Sequence, residues 1–178
     1  MITAQKFRGR RTAAALALGL MAVGVTGCGA INAQATAESY APSDGIVFNA
    51  GDLKIRNLML VTNTADEEAR VLGSLVNTTD QDQTLVLEVA GSSVTIDIPA
   101  QSTKKLEDDV NKTILPSAGA EPGAHVDASV NVGGASESKS VPVVNGALAE
   151  YRPYLPGGYD ESTVEHLAPA EEEHGSGH

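Results

Sequence analysis

The stretch "TLVLEVAGSSVTIDI", residues 84–98, decides the fold class. Apolar side chains occupy every second position on both sides of the turn-forming "AGS". Since successive side chains of a strand point to opposite faces, each half predicts a β-strand with one face in a core. The core-facing positions are Leu85, Leu87, Val89, Val94, Ile96 and Ile98.

Further strand patterns lie on either side of this pair. They cover residues 52–62, 68–79, 103–106, 125–132 and 138–146, with turn-formers rich in Asn, Asp, Gly and Pro between them. Several short strands without a convincing helix predict an all-β fold, an immunoglobulin-like antiparallel β-sandwich of about seven strands. Residues 103–106 suit a short edge strand, and Pro142 predicts an edge position for the last strand, because proline lacks a backbone donor.

The register of "DLKIRNLMLVT", residues 52–62, is ambiguous. Strict alternation places Leu53 and Ile55 with Met59 and Val61 on one face, interrupted by Asn57, and leaves Leu58 and Leu60 on the other face. A β-bulge near Asn57 would reconcile the two sets.

The N-terminus predicts export. The first eleven residues carry four basic side chains and no acid, and an apolar run follows that is too short to span a bilayer. The next residues, "VTGC" (25–28), resemble the lipobox of bacterial lipoproteins, and this resemblance implies that Cys28 carries the lipid. A signal peptide with an incidental cysteine is the alternative. The export route, general secretory or twin-arginine, stays open.

These features predict four regions. Residues 1–27 form a lipoprotein signal peptide, 28–45 a lipidated flexible spacer, 46–150 the β-sandwich domain and 151–178 a Tyr/Pro-containing segment with an acidic tail. We therefore expect a protein held at the extracytoplasmic face of the cell membrane by its lipid anchor.

The net charge of the mature chain limits the classes of partner that it can bind. Removing the signal peptide removes four of the 12 basic residues and none of the 23 acids, which leaves 8 against 23 and a net charge of −15. Nucleic acids and anionic lipid surfaces attract basic proteins, so neither is expected to bind this chain.

The C-terminal region contains the expected contact residues. Tyr151, Tyr154 and Tyr159 are interleaved with prolines and glycines, which suits an extended segment that docks on a protein partner in the cell envelope. Alternatively, the three rings fold back onto the sandwich. Beyond Leu155 the chain has six acids and no Lys or Arg, so we expect disorder there.

The sequence offers no catalytic constellation, and we expect neither an enzyme nor a cofactor. Its serines lack the glycine pattern of a hydrolase elbow. His125 reads as a surface residue at the start of a strand. His174 and His178 lie beside three glutamates, but "GSG" between them opposes a helix, so no metal site is predicted, and weak copper or zinc binding by the tail is left open.

The stretch "RVLGSLVNTTDQDQTLVLEVAGSSVTIDIPAQST", residues 70–103, resembles periplasmic copper chaperones of the PCuAC type. The wider arrangement of lipobox, "GDLKIRNLMLVT", this stretch, "VPVVNG" and Tyr/Pro tail resembles the LpqE-type lipoproteins of actinobacteria. That resemblance implies a non-catalytic envelope lipoprotein that accompanies membrane complexes, including respiratory ones. A copper chaperone is the alternative, but the mature chain has one methionine, Met59, and lacks the His-x-Met pair of that family, so the metal site is not transferred.

Overall fold

The computed structural model describes residues 43–167, all within one compact unit. The described residues form an all-β sandwich of nine strands, and three short 3₁₀-helices follow or interrupt them. The strands are β1 (Ile46–Ala50), β2 (Leu53–Val61), β3 (Ala69–Asn77), β4 (Gln83–Val89), β5 (Ser92–Ile98), β6 (Ser102–Lys105), β7 (Thr113–Leu115), β8 (His125–Val132) and β9 (Ala135–Val144). The 3₁₀-helices are Asp109–Asn111, Ala149–Tyr154 and Glu161–Leu167.

The sheet follows the order β5-β4-β8-β9-β2-β3-β6, with β1 paired to β2 and β7 paired to β3. All pairings are antiparallel except that of β9 with β2, which is parallel over Val143 and Val144. The main core contains apolar side chains from both halves of this sheet, including Leu87 and Val130 from β4 and β8 and Leu60 and Leu75 from β2 and β3. The predicted sandwich is therefore confirmed, with one parallel contact where β9 joins the two halves.

The prediction that Pro142 marks an edge strand is wrong. β9 lies between β8 and β2. The backbone of Val143 donates to Ala124 and accepts from Gly123, so its polar groups face β8. The neighbouring Pro142 nitrogen therefore faces the opposite side, where pairing with β2 begins only at Val143, and its missing N–H removes no ladder bond.

The bulge near Asn57 is present, and it corrects the single-face assignment of β2. Asn57 has a φ of 58°, and Asn57 and Leu58 together oppose one residue, Gly73. A Cβ at Gly73 would lie 3.0 Å from the Arg56 carbonyl oxygen, and its φ of 138° also favours glycine. The inserted residue shifts the alternation by one.

The two faces of β2 are buried in different clusters. Leu53, Ile55, Leu58 and Leu60 all belong to the main core. Met59 and Val61 belong to a second cluster, with Leu72 and Leu155. Past the bulge, then, β2 is buried on both faces, and the chain beyond β9 supplies the second cover.

Candidate functional site

The chain after β9, residues 145–167, is called the C-terminal segment below. Its anchor is Leu155, which packs into the second cluster against Met59, Val61 and Leu72. Tyr151 and Tyr154 pack around the same cluster and are partly buried. This agrees with the alternative in which the tyrosine rings fold back onto the sandwich, and it leaves each ring with an exposed part that a partner could contact.

The expectation of an extended Tyr/Pro segment is wrong for residues 149–154, which form a 3₁₀-helix. A 3₁₀-helix has three residues per turn, so side chains three apart lie on the same side. Tyr151 and Tyr154 have this spacing, and both therefore reach the sheet. Pro153 is tolerated because this two-turn helix needs few backbone donors.

The disorder expected beyond Leu155 does not extend to residues 156–167, where a turn leads into the 3₁₀-helix Glu161–Leu167. Asp160 accepts hydrogen bonds from the hydroxyl and the amide of Ser162 at 2.8 and 2.9 Å. These two bonds lower the pKa of the Asp160 carboxyl and define the start of the helix. The rest of the predicted tail, residues 168–178, lies outside the described residues.

Tyr159 is held differently from the other two tyrosines. Its ring packs on Gly146, where any Cβ would collide with it, and the Arg152 guanidinium lies 4.0 Å from the ring centroid. Arg152 also donates from Nε to the Gly146 carbonyl oxygen at 2.9 Å. Tyr159 keeps 36% of its surface exposed, the largest share among the three rings.

The Tyr151 hydroxyl donates to the carboxylate of Asp44, at the start of the described chain. Burial, together with this acceptor, raises the pKa of Tyr151 far above its ordinary value. The hydroxyl therefore keeps its proton to a higher pH than an ordinary tyrosine does. The contact also joins the N-terminal side of the domain to the C-terminal segment.

Arg70 contacts the C-terminal end of the 3₁₀-helix Ala149–Tyr154, at Tyr154. It is buried on β3, and its guanidinium lies 5.0 Å from the centroid of the Tyr154 ring. One terminal nitrogen donates to the Glu107 carbonyl oxygen at 2.7 Å, and the guanidinium pairs with Asp109 at 3.3 Å. Since the Asp109 side chain is 92% exposed, the backbone bonds and the ring contact, rather than the ion pair, fix the arginine.

A groove of about 680 Å³ opens between the C-terminal segment, the end of β9 and the loops around residues 44, 63 and 121. This volume falls within the range of small-ligand and peptide-anchor sites. Its walls combine apolar groups, such as Val144 and Leu148, with the carboxylates of Asp44 and Glu121. Tyr151 and His166 also line it.

The structure thus brings one predicted contact residue, Tyr151, to the groove and packs Tyr154 and Tyr159 on the segment that forms its wall. Cys28, the signal peptide, most of the spacer, His174 and His178 lie outside the described residues. His125 is exposed at the start of β8, as predicted. Met59, the potential copper ligand, is fully buried.

Within residues 43–167, no group of three His, Cys, Asp or Glu side chains is arranged to hold a metal ion. Over the same range, no helix is both long and apolar enough to cross a membrane.

Sequence reasoning missed the acids of the groove and Arg70. Asp44 and Glu121 lie on separate loops, and no spacing links them. Arg70 carried a weak signal, because a charged residue at the start of the apolar run "ARVLGSLV" must be either exposed or paired when the strand is buried.

No family model and no curated protein matches this chain. Among solved structures, the chain is similar to one described as the apo PCuAC domain from PmoF1, with a TM-score of 0.46 and 12% sequence identity. The similarity covers 56% of this chain and 99% of that domain. At this TM-score the likeness carries no argument about function, which therefore rests on the residues described above.

Proposed function

We propose that this protein is a lipid-anchored, extracytoplasmic and non-catalytic accessory domain, which binds an envelope or membrane protein complex through its C-terminal segment. The lipobox-like "VTGC" supports the anchor at Cys28. The resemblance to LpqE-type lipoproteins supports a membrane complex, including a respiratory one, as the partner.

One observation carries the proposal. The buried members of the main core all lie between Ala50 and Val143, so this core is complete without the C-terminal segment. The segment nevertheless adopts defined structure, held by Leu155, Arg70 and the Asp44–Tyr151 contact. The segment buries the second cluster, and in doing so it adds a concave, partly apolar surface beside the sandwich, which suits recognition of a partner.

An enzyme is the competing class. The ionisable groups of the groove are Asp44, Glu121, Tyr151 and His166, and Tyr151 is engaged with Asp44 as a proton donor. His166 and the two carboxylates are the groups of the groove that could act as a general acid or base on a substrate. A binding role fits this surface better. Burial and hydrogen bonding to Asp44 move the Tyr151 pKa further from neutrality, whereas a general acid or base works best with a pKa near neutrality.

The copper chaperone remains the alternative drawn from the PCuAC resemblance. Copper(I) prefers thioether sulfur, and the buried Met59 would have to leave the second cluster to reach a metal. Titration calorimetry with Cu(I) and Cu(II), on the full chain and on a Met59→Leu variant, tests this directly. Submicromolar binding that Met59→Leu abolishes would favour the chaperone.

The accessory function is tested by native pull-down from gently solubilised membranes, with mass spectrometry and metal analysis of the same eluate. The test variant combines Tyr151→Phe and Tyr154→Phe, which preserve packing, with Tyr159→Ser. The matched control removes exposed apolar groups elsewhere, through Val47→Ser and Val110→Ser.

We expect a stoichiometric membrane complex that only the tyrosine variant weakens. An unchanged yield with that variant would place the docking surface elsewhere. Recovery of the free protein with stoichiometric copper would refute the accessory function.

A further inference from the structure

The groove beside the C-terminal segment has one sign of charge. Asp44 and Glu121 line it, and a neighbouring hollow of about 590 Å³ adds Glu161 and Glu165. Neither Lys nor Arg is among the described residues that line the two hollows. The hollows share Ala147 and Leu167, so the four carboxylates border one continuous surface.

The lining of this surface includes exposed apolar side chains. Leu148 and Leu167 are 52% and 58% exposed, and Pro122 and Val144 lie beside them. A ligand that joins apolar side chains to hydrogen-bond donors of positive charge matches each of these features.

We infer that the groove binds a basic polypeptide segment of the partner protein, in which Lys or Arg residues flank apolar side chains. This deepens the proposed accessory function by giving the partner's chemistry. The apolar side chains lie against Leu148 and Leu167, and the cationic groups lie near Asp44 and Glu121.

Charge excludes the nearest alternatives. A second copy of the mature chain carries a net charge of −15 and is repelled by the same carboxylates. Residues 168–178 contain three Glu and no Lys or Arg, so this chain's own C-terminus is repelled as well. Anionic lipid headgroups are repelled by the same carboxylates.

The position of the groove along the chain suits a membrane protein as the source of the segment. Residues 29–42 separate the proposed lipid anchor from Ser43, and these fourteen residues span at most about 50 Å when extended. Because Asp44 lines the groove, the anchored protein holds this surface within that distance of the bilayer.

The inference is tested by calorimetric titration of the full-length lipoprotein, with blank titrations into empty micelles. The probe is the peptide acetyl-Lys-Val-Lys-Val-Pro-Val-Lys-Val-Arg-amide. A second peptide replaces every basic residue by Glu, and a third replaces every Val by Ser. We expect binding of the first peptide alone, weakened by added salt.

Three variants locate the binding. Asp44→Asn with Glu121→Gln should weaken the affinity about tenfold, the combined effect of two exposed ion pairs. Leu148→Ser should weaken it about fivefold at constant charge. Glu88→Gln with Asp127→Asn, on exposed positions of β4 and β8, removes the same charge elsewhere and should change little.

If Glu88→Gln with Asp127→Asn weakens the peptide affinity as much as the groove variants do, the binding is general attraction between a basic peptide and an acidic protein. That result would overturn the inference. No effect of Leu148→Ser would overturn it as well. If the membrane complex is recovered but none of the groove variants weakens peptide binding, the accessory function stands and the basic-segment inference fails. If the peptide binds as expected but no complex is recovered, the accessory function fails instead.

Discussion

Replacing Leu155 by Ala should release the C-terminal segment while leaving the sandwich folded. Leu155 is 6% exposed, and it is the member of the second cluster that the segment itself contributes to Met59, Val61 and Leu72. The main core contains no buried residue from the segment. The substitution therefore acts on a local opening rather than on global unfolding.

The size of the effect follows from the packing. Truncation of a buried leucine to alanine costs about 2–5 kcal/mol, and the lower part of that range applies where the surroundings relax. The second cluster has few members and lies under a surface segment, so we expect a loss of about 2–3 kcal/mol in the free energy of opening. At about 1.4 kcal/mol per factor of ten, this corresponds to hydrogen exchange about 30- to 150-fold faster.

Three amides of the segment report the opening directly. Those of Tyr151, Leu155 and Gly158 donate to carbonyl groups inside the segment, at 3.1, 3.4 and 3.1 Å. Exchange measured by NMR or by mass spectrometry should rise at these amides and stay constant in β4 and β8. The melting temperature should change little.

Two controls bracket the result. Leu148→Ala removes the same atoms from a leucine that is 52% exposed and should leave exchange nearly unchanged. Leu87→Ala opens a cavity in the main core and should lower global stability. If Leu155→Ala instead accelerates exchange uniformly and lowers the melting temperature as Leu87→Ala does, the segment is an integral part of the fold and the reasoning is refuted.

Three further predictions test the contacts around the segment. Arg70→Met should lower the free energy of unfolding by about 1–3 kcal/mol in urea titrations, because the carbonyl oxygens of Leu106 and Glu107 lose their donor. Asp109→Asn should lower it by less than about 1 kcal/mol, because the Asp109 side chain is exposed. Asn57→Ala should lower the free energy of unfolding by about 2 kcal/mol, because alanine is strained at this positive φ and the hydrogen bond from the Gly45 amide is lost. Asn57→Gly should lower it by about half as much, since glycine adopts that φ without strain. The folded chain holds the Tyr151 proton more tightly than the unfolded chain, so this contribution to stability is complete below pH about 10 and is lost as the pH rises further. Tyr151→Phe should therefore reduce the alkaline loss of stability and remove the last-ionising component from a tyrosinate absorbance titration; an unchanged titration would contradict the Asp44–Tyr151 contact.

Alternation in the sequence was sufficient to predict β4, β5 and β8 to within one residue of their observed bounds. It was insufficient for β1 and for β7, a strand of three residues, because segments this short hold too few alternating positions to stand out from a loop. The position of β9 was mispredicted for another reason. Proline excludes a strand from a sheet interior only when its nitrogen faces a bonded neighbour, and that depends on register rather than on composition.

The groove was harder to predict than the fold. The three tyrosines were recognisable from composition, but the spacing of Tyr151 and Tyr154 fits an α-helix as well as the 3₁₀-helix observed. Asp44 and Glu121, in contrast, approach the segment only because the sandwich brings loops that are distant in sequence to the same end. Charges on loops have no periodicity, so their convergence follows from the topology alone.

The bulge in β2 explains why the C-terminal segment folds back at all. If β2 passed Asn57 in regular alternation, without the bulge, Met59 and Val61 would continue the face of Leu53 and Ile55 and point into the main core. With it, Leu58 and Leu60 take that place, and Met59 and Val61 face outward as a bare apolar surface. Exposure of this apolar surface to water would be unfavourable, and Leu155 with the adjoining tyrosines buries it. The groove is formed by the edge of the C-terminal segment, so a change that shifts the bulge should alter the groove even though Asn57 does not line it.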